Sequence, residues 1–178
     1  MGDKKAIEKW LAEKNLSLTG NQISALLEHL DFIKASSGRM NLVSKNDLPK
    51  LVERHLLDSL LVLTVYKFPP GATVADLGSG AGFPGVPVAI ARPDLKIDLI
   101  ESRLRKSLFL KKVVDNLELI NVQVVNKRWE KVEKLYDIVL VRAVFNEQDL
   151  QKKVIPHLSP GGVLLHFAKH NNINILKR

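Results

Sequence analysis

From Thr73 onward, short apolar runs alternate with stretches of helical length, and this alternation restricts the fold more than any other feature of the sequence. The runs are TVADL, KIDLIE, VQVVN, YDIVLVR and GGVLLHFAK. Between them lie a helix expected from about Pro84, a second through LRKSLFLKKVVDNL, a short one near WEKVEK and a fourth through EQDLQKKVIPHL. Strands separated by helices make βαβ units, because parallel neighbours need a crossover connection and a parallel sheet is covered on both faces. The expectation is a doubly wound α/β domain over residues 71–178.

The first third reads differently. Ile23, Leu26, Leu27, Leu30 and Ile33 recur at helical spacing, with Thr19 or Asn21 available as a cap. A further helix is expected from about Leu48 to Val65, capped by Asn46 or Asp47, with Pro49 tolerated in its first turn. FPPG at residues 68–71 then breaks the helix and marks the end of a helical portion, residues 1–70.

The first strand runs straight into GSGAGFPG and then into a helix, the context a nucleotide-binding turn requires. Gly78, Gly80 and Gly82 give G-x-G-x-G, whereas the dinucleotide fingerprint wants a small residue where Phe83 stands, and no G-K-[ST] follows for a triphosphate. Asp76, at the strand end, repels phosphate and favours a cationic amino or sulfonium group. Glu101 ends the second strand about 20 residues on, where such folds place an acceptor for ribose hydroxyls. A ligand with a ribose and a positive charge but no phosphate is implied, and S-adenosyl-L-methionine fits. A dinucleotide-dependent oxidoreductase is the alternative that Phe83 and Asp76 disfavour.

The net charge of +8 and the pI near 9.7 point to a polyanionic partner, since clustered Lys and Arg gain affinity for phosphates by releasing counterions. The absence of cysteine excludes disulfides, Cys-ligated zinc and a thiolate nucleophile. No histidine spacing suits a metal, and none is expected. Apolar runs such as LLVLTVY fall far short of the roughly 18 residues a membrane helix needs, and MGDKKAIEKW lacks an apolar leader core, so a cytoplasmic monomer is expected.

NLVSKNDLPKLVERHLLDSL, ADLGSGAGFPGVPVAIARPD, LIESRLRKSLFLKKV and DIVLVRAV together resemble the glucose-inhibited division protein B family of small-subunit ribosomal RNA methyltransferases G. The resemblance runs from about Arg39 to Lys169. It implies a Rossmann-like class I S-adenosylmethionine-dependent methyltransferase fold, with a mainly parallel sheet, helices on both faces and a small helical N-terminal portion. The implied reaction is methylation of N7 of a guanine in the 530 loop of 16S rRNA, on rRNA or the small ribosomal subunit. Carried onto this chain, Gly78 and Phe83 would contact the cofactor, Glu101 the ribose, and Trp129 and Glu130 the adenine, with Arg142 at the methionine or substrate end. Trp129 is larger than the family's usual residue there, and His170 follows Lys169 where a glycine is usual. Family members continue past Arg178, so the last two strands are expected to be reduced or absent.

The residues suit that chemistry. Methylation at C5 of cytosine needs a cysteine, and methylation of an exocyclic amine usually employs an Asn or Asp followed by Pro-Pro and an aromatic, where this chain reads VRAVFN. Guanine N7 carries a lone pair and no proton, so attack on the sulfonium needs positioning more than a general base. The absence of a base is equally what a non-catalytic RNA-binding module would show. Arg142, at the end of the fourth strand, is the candidate to hold guanine O6, a phosphate or the methionine carboxylate. A fork onto both O6 and N7 would block the methylated atom. Arg103, Arg105 and Lys106 crowd the start of a helix and oppose its dipole, which suggests either RNA phosphates as partners or a solvated face partly neutralised by Glu101. His55 and Asp58 interrupt an apolar helix edge and are expected either to join the helical portion to the rest or to act near the target base.

Overall fold

The computed structural model describes residues 2–142, 152–168 and 172–178. Helices α1 (Asp3–Glu13) and α2 (Gly20–Ser36) open the chain. Thr19 caps α2 in a reciprocal box: its hydroxyl accepts from Gln22 N at 3.2 Å, and its own N–H donates to Gln22 Oε1 at 2.8 Å. Gln22 Nε2 also reaches the carbonyl of Ile90 at 2.8 Å, so the cap fixes where α2 docks.

The helix expected from Leu48 to Val65 forms, but not as one regular rod. A 3-10 turn (Leu48–Lys50) leads into a π-helical stretch (Val52–Leu57), then α3 (Asp58–Leu60) and α4 (Val62–Val65). Two carbonyls in the widened stretch are bonded by side chains: His55 O accepts from Ser59 Oγ, and Arg54 O accepts from the Arg142 guanidinium. Such competition with the regular ladder goes with a widened turn. Asp47 makes no capping bond; its carboxylate instead takes Ser44 Oγ at 2.6 Å and Arg54 Nη1 at 2.8 Å.

The α/β part then runs β1 (Thr73–Leu77), α5 (Gly85–Ala91), β2 (Lys96–Ile100), α6 (Leu104–Asn116), β3 (Val122–Val125) and a 3-10 turn (Trp129–Lys131). It continues with β4 (Tyr136–Arg142), a 3-10 turn (Ile155–His157), β5 (Leu158–Phe167) and β6 (Ile173–Lys177). The sheet order is β3-β2-β1-β4-β5-β6, parallel throughout except for antiparallel β5–β6. One strand forms beyond the five that the apolar runs predict. β5 is a ten-residue strand, and β6 pairs with it from Val163↔Lys177 to Phe167↔Ile173. INILK was not among the runs expected as strands; it forms the antiparallel edge of the sheet, its residues half-buried or exposed. Residues 147–151 of the helix expected through EQDLQKKVIPHL, along with Lys169 and His170, lie outside the described residues; the described remainder ends in the 3-10 turn, and its last residue, Leu158, opens β5.

Alternate residues of each strand serve opposite faces. Val74, Ile97, Leu99, Ile138 and Leu140 join one apolar cluster with Ile7, Leu26, Leu30, Leu56, Leu60, Val86 and Leu110, so the N-terminal helices, α5 and α6 cover that face. Ala75, Leu77, Ile100, Val139, Val141 and Leu164 join a second cluster with Tyr136, Val154 and Leu158. The chain leaves β1 toward β2 on one side and returns to β4 on the other, and in such sheets the crevice at that reversal, beyond the carboxyl ends of the strands, is where ligands bind. Gly78, Glu101 and Arg142 all sit at those ends.

Candidate active site

The glycine turn is built from both sides. Gly78, Gly80 and Gly82 have φ of +75°, +55° and +96°, the left-handed region in which a Cβ is strained. Gly78 N donates to Ile100 O at 2.8 Å, so the turn begins bonded to the end of β2. At Gly82 a Cβ would meet Val86 Cγ2 at 2.8 Å and His29 Nε2 at 3.0 Å, which wedges the turn between α5 and α2.

Asp76 lies beneath the turn, 1% exposed, with Oδ2 accepting from Gly85 N at 3.0 Å. Its Oδ1 is buried with no partner among the described residues. Burial pushes its carboxyl up to about 7 against the opposing bond from Gly85. Asp76 therefore braces the turn from within the protein rather than presenting a solvent-facing carboxylate. Glu101, 7% exposed, accepts from Gly80 N through Oε2 at 3.1 Å and from Arg103 N through Oε1 at 2.8 Å. It ties the turn to the start of α6. Asn126, which sequence reasoning missed, donates through Nδ2 to Glu101 O at 2.8 Å and holds the chain where β2 ends. An asparagine directly after the VQVV strand was the available signal.

Beside Gly78 opens a cavity of about 270 Å³ lined by Ile100, Trp129 and Glu130 among others. Gly78, Trp129 and Glu130, remote in sequence, are thus brought together. The Trp129 indole meets the His157 ring edge-on at 5.3 Å.

Phe83 does not line this cavity. It is 7% exposed and packs between two histidines of the N-terminal helices, His29 at 5.0 Å and His55 at 5.3 Å between ring centroids. His29 is fully buried, and its Nε2 lies 2.8 Å from Ala81 O; a carbonyl only accepts, so Nε2 carries the hydrogen. Burial lowers the His29 pKa to about 4 against the pull of that carbonyl. His55 is likewise lowered to about 4, first by burial and then by the Arg142 charge. His29 was not among the residues singled out from the sequence, because a lone histidine on a helix's apolar face gives no sign of its partner.

Arg142 is committed to the same seam. Its Nη2 lies 3.1 Å from Asp58 Oδ2 and bonds the carbonyl of Arg54, while Nη1 is buried without a partner among the described residues. Burial raises the Asp58 carboxyl and lowers the Arg142 guanidinium despite their mutual attraction, as expected where both partners lose water. The Asp58 side of the pair joins the helical portion to β4. Arg103, Arg105 and Lys106 lie at the other flank. Arg103 is the N-cap of α6 without a side-chain capping bond, and Lys106 Nζ lies 3.9 Å from where a Cβ on Gly80 would be.

These residues fit S-adenosyl-L-methionine. The Glu101 oxygens each accept one N–H and retain lone pairs for hydroxyls, the bare turn at Gly78 allows close approach, and the cavity offers Ile100 and Trp129 to a flat base. The strand order, glycine turn and acid after β2 define a class I S-adenosylmethionine-dependent methyltransferase fold. Solved structures agree on the fold. Coclaurine N-methyltransferase bound to N-methylheliamine and SAH matches with a TM-score of 0.58 at 17% identity, over 92% of this chain and 58% of that one. A SAM-dependent methyltransferase from Aquifex aeolicus matches with a TM-score of 0.56 at 22% identity, over 68% of each chain.

The family model described as rRNA small subunit methyltransferase G, GidB, matches residues 22–178, and the chain belongs to that family. Relatives named Ribosomal RNA small subunit methyltransferase G include one from Lachnoclostridium phytofermentans, 31% identical over 94% of this chain and 72% of its own length. That of Sorangium cellulosum is 38% identical over 87% and 67%, and that of Flavobacterium johnsoniae 40% identical over 75% and 64%. The chain therefore spans about two thirds of the length of such relatives.

Proposed function

We propose that the chain is an S-adenosylmethionine-dependent methyltransferase acting on N7 of a guanine in the 530 loop of 16S rRNA, on the rRNA or the small ribosomal subunit. The observation that carries the reading is the bare turn at Gly78 and Gly80, bonded to Glu101 and opening on the Trp129 cavity. Gly78 lets the cofactor approach the backbone, Glu101 takes its ribose hydroxyls, and Trp129 and Glu130 flank its adenine. Bound there, the cofactor supplies a methyl group on a sulfonium, which an unprotonated ring nitrogen displaces without a base. Among the described residues no helix is long and apolar enough to cross a membrane.

With Nη2 held by Asp58 and Arg54, the Arg142 guanidinium is fixed at the carboxyl end of β4, beside the cleft. Asp58 thereby acts as a positioning residue.

The test is calorimetric titration with S-adenosylmethionine and S-adenosylhomocysteine, followed by transfer of labelled methyl to small subunits from cells lacking the modification. Gly78→Asp should remove detectable cofactor binding while the fold persists, since it crowds the turn and adds negative charge. No heat with either compound sinks the proposal. Cofactor binding without label in the rRNA would make the chain an RNA-binding module instead.

A further inference from the structure

At the flank of the glycine turn away from the Arg142–Asp58 pair, the loop of residues 38–41 faces the first turn of α6 across a groove of about 650 Å³. Arg39, Arg103, Arg105 and Lys106 line it, and no acidic residue does. None of the four side chains makes a hydrogen bond or ion pair among the described residues. Other arginines do: Arg54 pairs with Asp47 at 2.8 Å and Arg92 with Asp94 at 2.7 Å. The loop is anchored, since Arg39 N and Met40 N both donate to Ser36 O and Leu42 is buried just beyond. Its cation is thus presented from a fixed stem.

The groove is also partly apolar. Met40 and Leu104 line it, Leu104 is 61% exposed, and Leu108, one helical turn further, is 57% exposed. Unpaired cations flanking bare aliphatic side chains suit a chain that offers phosphates and base faces together. A duplex keeps its base faces stacked inside, whereas an unpaired strand presents them.

We propose that this groove binds an unpaired segment of RNA next to the nucleotide to be methylated. The inference rests on the rRNA methyltransferase reading and assigns to the N-terminal portion, through Arg39 and Met40, a share in holding the substrate strand. Lys106 reaches over Gly80, so the strand path begins where the cofactor site ends. No aromatic ring lines the groove, and the hold on bases is therefore tolerant of sequence.

The experiment is fluorescence anisotropy with a labelled single-stranded oligoribonucleotide about twelve nucleotides long, and with the same sequence as duplex, across a salt series. Changing Arg39, Arg103, Arg105 and Lys106 together to Ala should weaken single-strand binding about 100-fold and flatten the log K against log salt slope by roughly 0.7 per lost phosphate contact. Leu104→Ser should weaken the single strand about threefold and leave the duplex unchanged. A charge-matched control with Lys4, Lys5 and Lys9 of α1 and its C-cap Lys14 changed to Ala should bind nearly as wild type. The groove assignment is overturned if the groove variant binds like this control, or if poly-glutamate displaces wild-type protein as readily as RNA does. Methyl transfer to small subunits, run in parallel, separates the two ideas. A groove variant that transfers at the wild-type rate removes the groove alone, whereas groove-dependent RNA binding without transfer by the wild type removes the enzymatic reading alone.

Discussion

On the α2 side of the glycine turn, polar side chains are buried, with Asp58 paired to Arg142 while His29 Nδ1, His55 Nε2 and Arg142 Nη1 find no partner among the described residues; on the α6 rim Arg39, Arg103 and Arg105 are exposed, Lys106 is half-buried, and none of these side chains is paired among the described residues. His29, Phe83, His55, Asp58 and Arg142 form the first region, where Arg142 and Asp58 side chains are only 18% and 13% exposed. Arg39, Arg103, Arg105 and Lys106 form the second. The difference separates two uses of charge within one small site. Inside the seam, the Asp58 carboxylate fixes the Arg142 guanidinium, and both lose their freedom in doing so. On the rim, charge stays unpaired within the described chain.

The largest effect that tests this contrast is removal of Asp58. Asp58→Ala leaves the Arg142 guanidinium buried without its carboxylate and should cost roughly 2–4 kcal/mol in urea unfolding. Asp47→Ala, which removes the partner of a largely exposed Arg54, should cost under about 1 kcal/mol. Equal costs would erase the distinction between seam and rim.

A second effect is pH dependence. The folded pKa of His29 is lowered to about 4 from the ordinary 6.5, so its contribution is fully present above about 6.5 and is lost as pH falls toward 4. Asp76 runs the other way: raised to about 7, it favours the folded state at low pH and loses that contribution as pH rises toward 7. The two partly cancel in wild-type protein, which makes the difference from a variant the useful quantity. The stability gap between wild type and His29→Gln should shrink by about 2 kcal/mol between pH 7 and pH 5, by urea midpoints at each pH. A constant gap would show that His29 is not held neutral.

The smallest effect sharpens the rim. Arg103→Asp supplies α6 with the capping carboxylate it lacks and removes a cation opposing the helix dipole, so it should raise stability by about 1 kcal/mol. The same variant should bind the single-stranded oligoribonucleotide more weakly. A destabilised Arg103→Asp protein would mean that Arg103 has a structural role inside the chain.

Much of this was legible because it is local. Thr19 and Gln22 form their box within one turn, and five strands fall on the apolar runs that announced them. The crowding of cations at the start of α6 was equally readable, since Arg103, Arg105 and Lys106 are neighbours in the chain. What was not legible depends on pairs remote in sequence. Phe83 reads as a cofactor contact, yet where its ring packs was decided by His29 and His55 from another part of the chain. Asp76 reads as a carboxylate facing its ligand, yet the N–H of Gly85 and the close approach of α5 draw it under the turn. The sixth strand was not expected, and what makes INILK a strand is its antiparallel pairing with β5.

The order of residues alone determined the alternating fold, the glycine turn and the acids flanking it, since backbone freedom and periodicity act over a few residues. Only the folded chain decided which charges are buried and which stay free. That division depends on which segments exclude water from one another, as α2 and the π-helical stretch do against the turn, and water exclusion has no counterpart in a linear sequence.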